Sequence, residues 1–580
     1  MPTQGTAGQP EGPAPANLNG SASGGRGSES PGVPVGDGLR GTAPAGPTPD
    51  GLRGTAPAGP TPDGLRGRSP AAQLRRHWLL AILLAAGLVL RVLAQIAYRP
   101  ALLYIDSLKY LYGAYPGNDP PGYLLVLKPF LAVGNLDLVA AVQHLLGLGM
   151  AVALYLVMCR RGVPRWLAAL ATAPILLDGY QLQIEQTIMP DTLFEALIVT
   201  GLAILLWQPQ PKRWMIVAAG ITLGASAPVR QIGEILILPA VIYLLVTIPG
   251  WRAKVTKAAA LSAAFALPIL AVSYRDYVAI KHFALAPYAQ STIYGRAAAA
   301  ADCQTLRLPA YEQSLCPSRR EQALGPDRLD HGALSPIKSY KPPPGWHGYM
   351  IASDFSHRVI TQQPLGVLRA VARDAVKVFA LQRIQATGDT PISRWQFQTA
   401  YPSYPPYIAF QRGRLRFAET TSSGRLKVLG RGQPFGGGPP LVARPVASVL
   451  RIYQLGGGYT PGPLLLFAAA AGLLGSVGLL RRRGTPAQHE TAAACLVTVL
   501  AAAGVLLGSD VFEFSWRYQL PALVTLVPAG ALGITVVIGF LAARRGQPAG
   551  PPVSPQPMRP TPTLSGEHPG LQAKDRASAG

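Results

Sequence analysis

Apolar runs of around twenty residues recur from Leu79 to Leu541, separated by short polar or basic breaks. As a helix, a run of that length matches the hydrocarbon thickness of a bilayer. About ten crossings are predicted: Trp78–Ala97, Leu138–Met158, Trp166–Leu177, Thr192–Trp207, Met215–Pro228, a sixth ending near Ile248, Ala258–Tyr274, Pro463–Leu480, Thr491–Leu507 and Pro521–Leu541. Gly122–Val133 is apolar but too short to cross and contains Lys128 and Pro129. It is expected to lie along the interface.

The breaks give the threading a direction. Arg75, Arg76 and His77 precede the first run, and Arg160, Arg161 and Arg165 follow the second. Lys212 and Arg213 follow the fourth, Arg252, Lys254 and Lys257 the sixth, Arg481, Arg482 and Arg483 the eighth, and Arg544 and Arg545 the tenth. Basic residues mark cytoplasmic turns, so both termini are expected in the cytoplasm of a multi-pass plasma-membrane protein. Asp106 then falls on the far side.

Composition agrees: 49% of residues are hydrophobic and only 14% charged. The formal charge of +24 could point to nucleic acid, but the cations sit in clusters between apolar runs and not along one stripe. No nucleic-acid partner is expected; the partner is the bilayer. The predicted class is an all-α polytopic membrane protein, about ten transmembrane helices with a large extracytoplasmic insert and disordered termini.

Five segments follow. Residues 1–72 hold Gly, Pro, Ser and Ala with few apolar side chains, and DGLRGTAPAGPTP repeats at Asp37–Pro49 and Asp50–Pro62. Such a segment cannot offset its ordering entropy and is expected to be a disordered cytoplasmic tail. Residues 73–274 form an N-terminal membrane catalytic core of about seven spans, 275–444 the insert, 445–545 the last three spans, and 546–580 a second disordered cytoplasmic tail. The insert is far longer than an ordinary connection. Cys303 and Cys316 lie close together in it, and a disulfide is expected if it faces an oxidising compartment. In PLGVLRAVARDAVKVFAL, Leu365, Leu368, Val371, Val376 and Phe379 approximate a helical stripe, read as ordinary packing.

The threading gathers polar residues of four connections on one face: Asp106, Lys109 and Asp119; Asp178, Glu185 and Asp191; Arg230, Gln231 and Glu234; Asp510, Glu513, Arg517 and Tyr518. Arginine holds phosphate well, and a carboxylate can take a proton from a hydroxyl. Arg230 lies just after Pro228 at a helix end, and Arg517 opens a span in WRYQLP. A lone cation on the translocated side points to an anionic partner. The eight histidines form no HExxH motif and no Cys/His cluster, and GQPFGGGPP and LGGGYTPGP lack the Lys-Ser/Thr of a phosphate loop. Neither zinc nor a nucleotide donor is indicated.

The order of these features resembles the C-type glycosyltransferase superfamily, in the branch of the protein O-mannosyltransferases and the bacterial lipid A aminoarabinose transferases. The likeness rests on Asp106 and Tyr110 after the first span, DPPGY (Asp119–Tyr123) leading to a short helix that ends near Gly134, EQTIMPD (Glu185–Asp191) after the third, and Arg517, Tyr518 and Pro521 opening a late span. It covers Trp78 to Tyr274 and the last span. Ser107 stands where an acidic residue often follows the Asp.

The resemblance implies inverting transfer of a sugar from a polyprenyl-phosphate carrier to an acceptor outside the membrane, an envelope glycan, lipid or protein. Asp106 would be the general base. Arg230 and Arg517 would neutralise the departing phosphate, with Tyr110, Tyr518 and Lys109 beside the substrates. Glu185 or Asp191 would position the sugar or a divalent cation, and the insert would recognise the acceptor. The competing expectations are a transporter or lipid flippase, whose ionisable residues belong near the midplane, and a catalytically inactive envelope scaffold.

Overall fold

The computed structural model describes residues 75–113, 117–405, 407–411, 414–420, 426–431, 439–480 and 484–544. Both predicted tails and the Arg481–Arg483 turn lie outside the described residues. All ten predicted crossings fall on helices: α1 Trp78–Ala97, α4 Leu136–Arg160, α5 Arg165–Leu177, α7 Asp191–Leu205, α8 Arg213–Gly224, α9 Ile237–Thr247, α10 Trp251–Ile280, α14 Gly462–Ser476, α15 Pro486–Asp510 and α16 Pro521–Arg544. Between them lie α2 Ser107–Tyr112, α3 Gly122–Val133 and α6 Gly179–Gln186.

Six helical segments among the described residues are long and apolar enough to cross a membrane: α1, α4, α10, Gly462–Leu480, α15 and Trp516–Ala543. The other four predicted crossings, α5, α7, α8 and α9, have 13, 15, 12 and 11 residues. Their sequences say why. Pro174 and Asp178 close α5, Asp191 opens α7, and Ser226 to Pro228 interrupt the fifth run before a 3₁₀ turn at Gln231–Leu236.

Helix ends are set by local chemistry. Asn135 accepts a bond from Asp137 N–H to start α4, Asp178 accepts from Tyr180 N–H to start α6, and Thr485 with Gln488 forms a capping box ahead of Pro486 for α15. Small residues set the packing. A Cβ on Gly475 would lie 2.4 Å from Gly533 Cα, and one on Gly533 2.0 Å from Ala471 O. Thus α14 and α16 meet backbone to backbone, the close approach that helices use where lipid supplies no hydrophobic drive.

The connection after α5 departs most from a surface loop. All eight residues of α6 are buried. Leu102 N–H donates to Gln186 O and Ile188 N–H to Leu102 O, which stitches the segment after α6 to the segment after α1.

The insert is ordered over its described residues. Cys303 and Cys316 are joined by a disulfide. A separate core of Tyr294, Leu315, Leu329, Ile351 and Phe355 forms one lobe. The insert's helices include α11 Pro326–His331 and α12 Pro364–Ala375, and α13 Arg444–Leu455 follows it, packed with Ala447 and Leu450 against the end of α1. The only sheets among the described residues are small: β1 (Tyr98–Arg99) pairs antiparallel with β5 (Leu441–Val442), and β2 (Ile408–Gln411), β3 (Arg414–Thr420) and β4 (Leu426–Arg431) form an antiparallel meander. The β1–β5 pair returns the end of the insert to the end of α1. Trp395, Tyr401, Ile408 and Phe417 enter the main core, so part of the insert is packed on the bundle.

Candidate functional site

Asp106 lies at the N-terminal end of α2, a six-residue helix closed by Gly113 in the left-handed conformation (φ 62°). Its turn is fixed by its neighbour. The buried Ser107 hydroxyl donates to Ile188 O at 2.9 Å and accepts from Tyr104 N–H at 2.9 Å. Ile188 is three residues before Asp191, so one hydroxyl ties the Asp106 turn to the Asp191 turn.

Three cations alternate with three carboxylates. Lys109 Nζ lies 3.3 Å from Asp106 Oδ1 and 2.8 Å from Asp119 Oδ2. Arg517 donates to Asp106 Oδ2 at 3.2 Å, and its Nε lies 3.5 Å from Asp191 Oδ1. Arg230 also bonds Asp191 Oδ1. Asp191 is therefore shared by two guanidinium groups that arrive from opposite halves of the chain.

Aromatic rings sandwich the arginines. The Arg517 guanidinium lies 4.6 Å from the Tyr518 ring centroid and 4.9 Å from that of Trp395, and Arg230 lies 4.6 Å from Tyr518 on its own side. Arg517 also donates to the Tyr518 hydroxyl at 2.9 Å. Stacking of this kind fixes a guanidinium's plane while leaving edge donors for an anion. The insert supplies part of the wall: Trp395 packs on Tyr104 at 4.8 Å, and Arg394 donates to the Tyr104 hydroxyl at 2.8 Å.

The charges act on one another. Burial alone would raise the Asp106 carboxyl, but Lys109 and Arg517 outweigh it and hold the group below the usual carboxylate range. Burial likewise opposes charge on Lys109, and Asp106 with Asp119 overcomes it, holding the ammonium well above its ordinary value. Glu513 behaves oppositely. Burial, reinforced by Asp327 of α11, pushes it up to about 7.

The structure thus brings together Asp106, Lys109, Asp191, Arg230, Arg517 and Tyr518. Tyr110 is buried just beneath, its ring 5.0 Å from that of Tyr123. Glu185 is elsewhere. It is fully buried, bonded by Arg91 at 2.8 Å, His144 at 3.0 Å and Gln181 at 3.3 Å. It braces the bundle interior because the whole of α6 is drawn inward. Asp178 caps α6, pairs with Arg383 at 2.7 Å and accepts from Thr460 N–H.

The fit to a divalent cation is poor. Beside Asp106 the Ser107 hydroxyl is spent, Glu185 is committed to Arg91, and Asp191 faces two guanidinium groups; no group of three or more His, Cys, Asp or Glu that could hold a metal occurs among the described residues. Sequence reasoning missed Arg394 and Trp395 as parts of this wall. The aromatic-rich run TPISRWQFQTAYPSY was the one available sign.

Comparisons with known proteins bear on residues 106–284, which match the model of the dolichyl-phosphate-mannose-protein mannosyltransferase family. No curated protein matches the chain in sequence. Among solved structures it is similar to the S. cerevisiae protein O-mannosyltransferase Pmt1-Pmt2 complex bound to the sugar donor (17% identity, 38% of this chain and 36% of that one, TM-score 0.29). It is also similar to the oligosaccharyltransferase AglB from Archaeoglobus fulgidus (14%, 82% and 52%, 0.36) and ArnT from Cupriavidus metallidurans (14%, 78% and 77%, 0.28). The chain spans about a third to a half of the length of the first structures it matches. The family match begins at Asp106 and takes in Asp191 and Arg230, and over that part the chain resembles the C-type glycosyltransferases of the protein O-mannosyltransferase branch.

Proposed function

We propose that this chain transfers a sugar from a polyprenyl-phosphate carrier to an envelope acceptor on the extracytoplasmic side, with inversion and with Asp106 as general base. The single observation that carries the reading is the shared cluster: Asp106 pairs with Arg517, and Arg517 shares a second anion, Asp191, with Arg230.

A carboxylate held by Lys109 and Arg517 is a weak base until they have another partner. The donor phosphate is that partner. As Arg517 turns toward it, with Arg230 released from Asp191 alongside, Asp106 loses part of its compensation and its basicity rises. Asp106 then takes the acceptor's hydroxyl proton as that oxygen bonds the anomeric carbon. The bond from that carbon to the phosphate oxygen breaks, and its electron pair leaves with the lipid phosphate. The negative charge gained there is what preorganised guanidinium groups stabilise best.

The test uses membranes holding the full chain, a radiolabelled polyprenyl-phosphate sugar and an envelope extract. Label should pass to the extract with wild type and not with Asp106→Asn produced at equal abundance. Undiminished transfer by that variant would remove Asp106 as the base. Movement of intact lipid-linked sugar across the bilayer, with no transfer, would favour the flippase reading.

A further inference from the structure

The stripe in PLGVLRAVARDAVKVFAL is only in part ordinary packing, Phe379 lying against the main core. Val371 is buried, but Leu365, Leu368 and Val376 stand exposed, followed by Leu381 and Ile384, all between 62 and 72% accessible. At about 100° per residue, Leu365, Leu368, Ala372 and Val376 share one face. Ala370, Val371 and Asp374 hold α12 to the protein on the other, and the exposed Arg369 and Arg373 flank the apolar face.

Where this face sits indicates what covers it. Gly462 N–H donates to Ala380 O at 3.2 Å, and a Cβ on Gly462 would lie 2.3 Å from the Phe379 carbonyl carbon. The segment after α12 thus rests on the first residue of α14, whose own Leu464, Leu466 and Phe467 are exposed in a membrane-spanning helix. The apolar edge of the insert adjoins the start of α14 through the Gly462 contact. Arg369 and Arg373 extend the pattern expected of a helix lying in a headgroup layer.

We propose that α12 and the chain to Ile384 lie in the headgroup region of the leaflet on the Asp106 side, with Leu365, Leu368, Val376, Leu381 and Ile384 inserted into lipid. This anchor bears on the site. Ile384 O accepts from Trp516 Nε1 at 3.0 Å, and Arg383 pairs with Asp178. The anchored strand therefore ends beside Arg517, at a fixed depth relative to the bilayer.

The full chain carrying Cys159→Ser and Cys495→Ala, with a spin label at Leu368→Cys or separately at Val376→Cys, is reconstituted into bilayer discs of phosphatidylcholine with or without phosphatidylglycerol. Both labels should collide more with oxygen than with a water-soluble nickel chelate, and the preference should grow with anionic lipid. A preference for the nickel chelate at both positions would overturn the proposal, as would spectral broadening by a neighbouring label, which would make the occupant a second copy. Leu365→Cys serves if either variant fails to fold.

Discussion

Arg517, at the mouth of the last span, donates to Asp106 across 3.2 Å although 411 residues separate them in sequence. The proposed base and a proposed phosphate-binding cation are in direct contact, so changing either alters the other. Asp106→Asn should lower sugar transfer by about 10²–10⁴-fold, the usual contribution of a positioned acid or base. Initial rates in membranes with matched protein levels measure it.

Arg517→Gln should do more than weaken donor binding. With the guanidinium gone, the Asp106 carboxyl moves up toward its ordinary range. A base works only when deprotonated, so the acid limb of the rate profile should move to higher pH. Comparison of kcat/KM across pH for both proteins tests this, and identical acid limbs would count against the coupling.

Glu513, pushed up to about 7 by burial and by Asp327, also feels Arg517, Asp106 and Tyr518, and it influences Asp330. Below that pH it is neutral; above it, it adds negative charge beside the arginines. Donor KM should therefore rise as pH increases through about 7. Glu513→Gln should flatten that rise with little change at pH 6.

The Arg91–Glu185 pair is fully buried. Glu185→Ala leaves an uncompensated guanidinium and should destabilise the bundle by about 3–5 kcal/mol. Gly147→Ala should act in the same direction, because its Cβ would lie 2.2 Å from Glu185 Oε1 and 2.7 Å from Arg91 Nη2. Thermal unfolding in detergent, with donor binding followed separately, distinguishes a bracing role for Glu185 from a substrate contact.

The carboxylates of the proposed donor site face arginine and lysine, and Ser107 is spent on Ile188 O. Transfer should therefore persist after extensive treatment with EDTA. A loss restored by a single divalent cation would show that the pairs rearrange around a metal.

Much of this was legible in the chain itself, for stated reasons. Runs of bilayer length predict helices because lipid leaves backbone groups no other partner, and every predicted crossing falls on one. Gathering Asp106, Asp191, Arg230 and Arg517 on one face needed only the count of crossings. Sequence could not say that α6 is drawn inside, because Gln181, Glu185 and Gln186 read as a polar loop until Glu195, Arg91 and His144 are seen to bond their side chains and Gln143 the Glu185 carbonyl. Nor could it tell a packed stripe from an exposed one at Leu365 and Leu368, since periodicity reports an apolar face and not what covers it. Local pattern determined the helices, and span counting anticipated that Asp106, Asp191, Arg230 and Arg517 would meet at one end of the bundle. Contacts between distant segments, Arg517 with Asp106 and Trp395 with Tyr104, were decided only by tertiary packing.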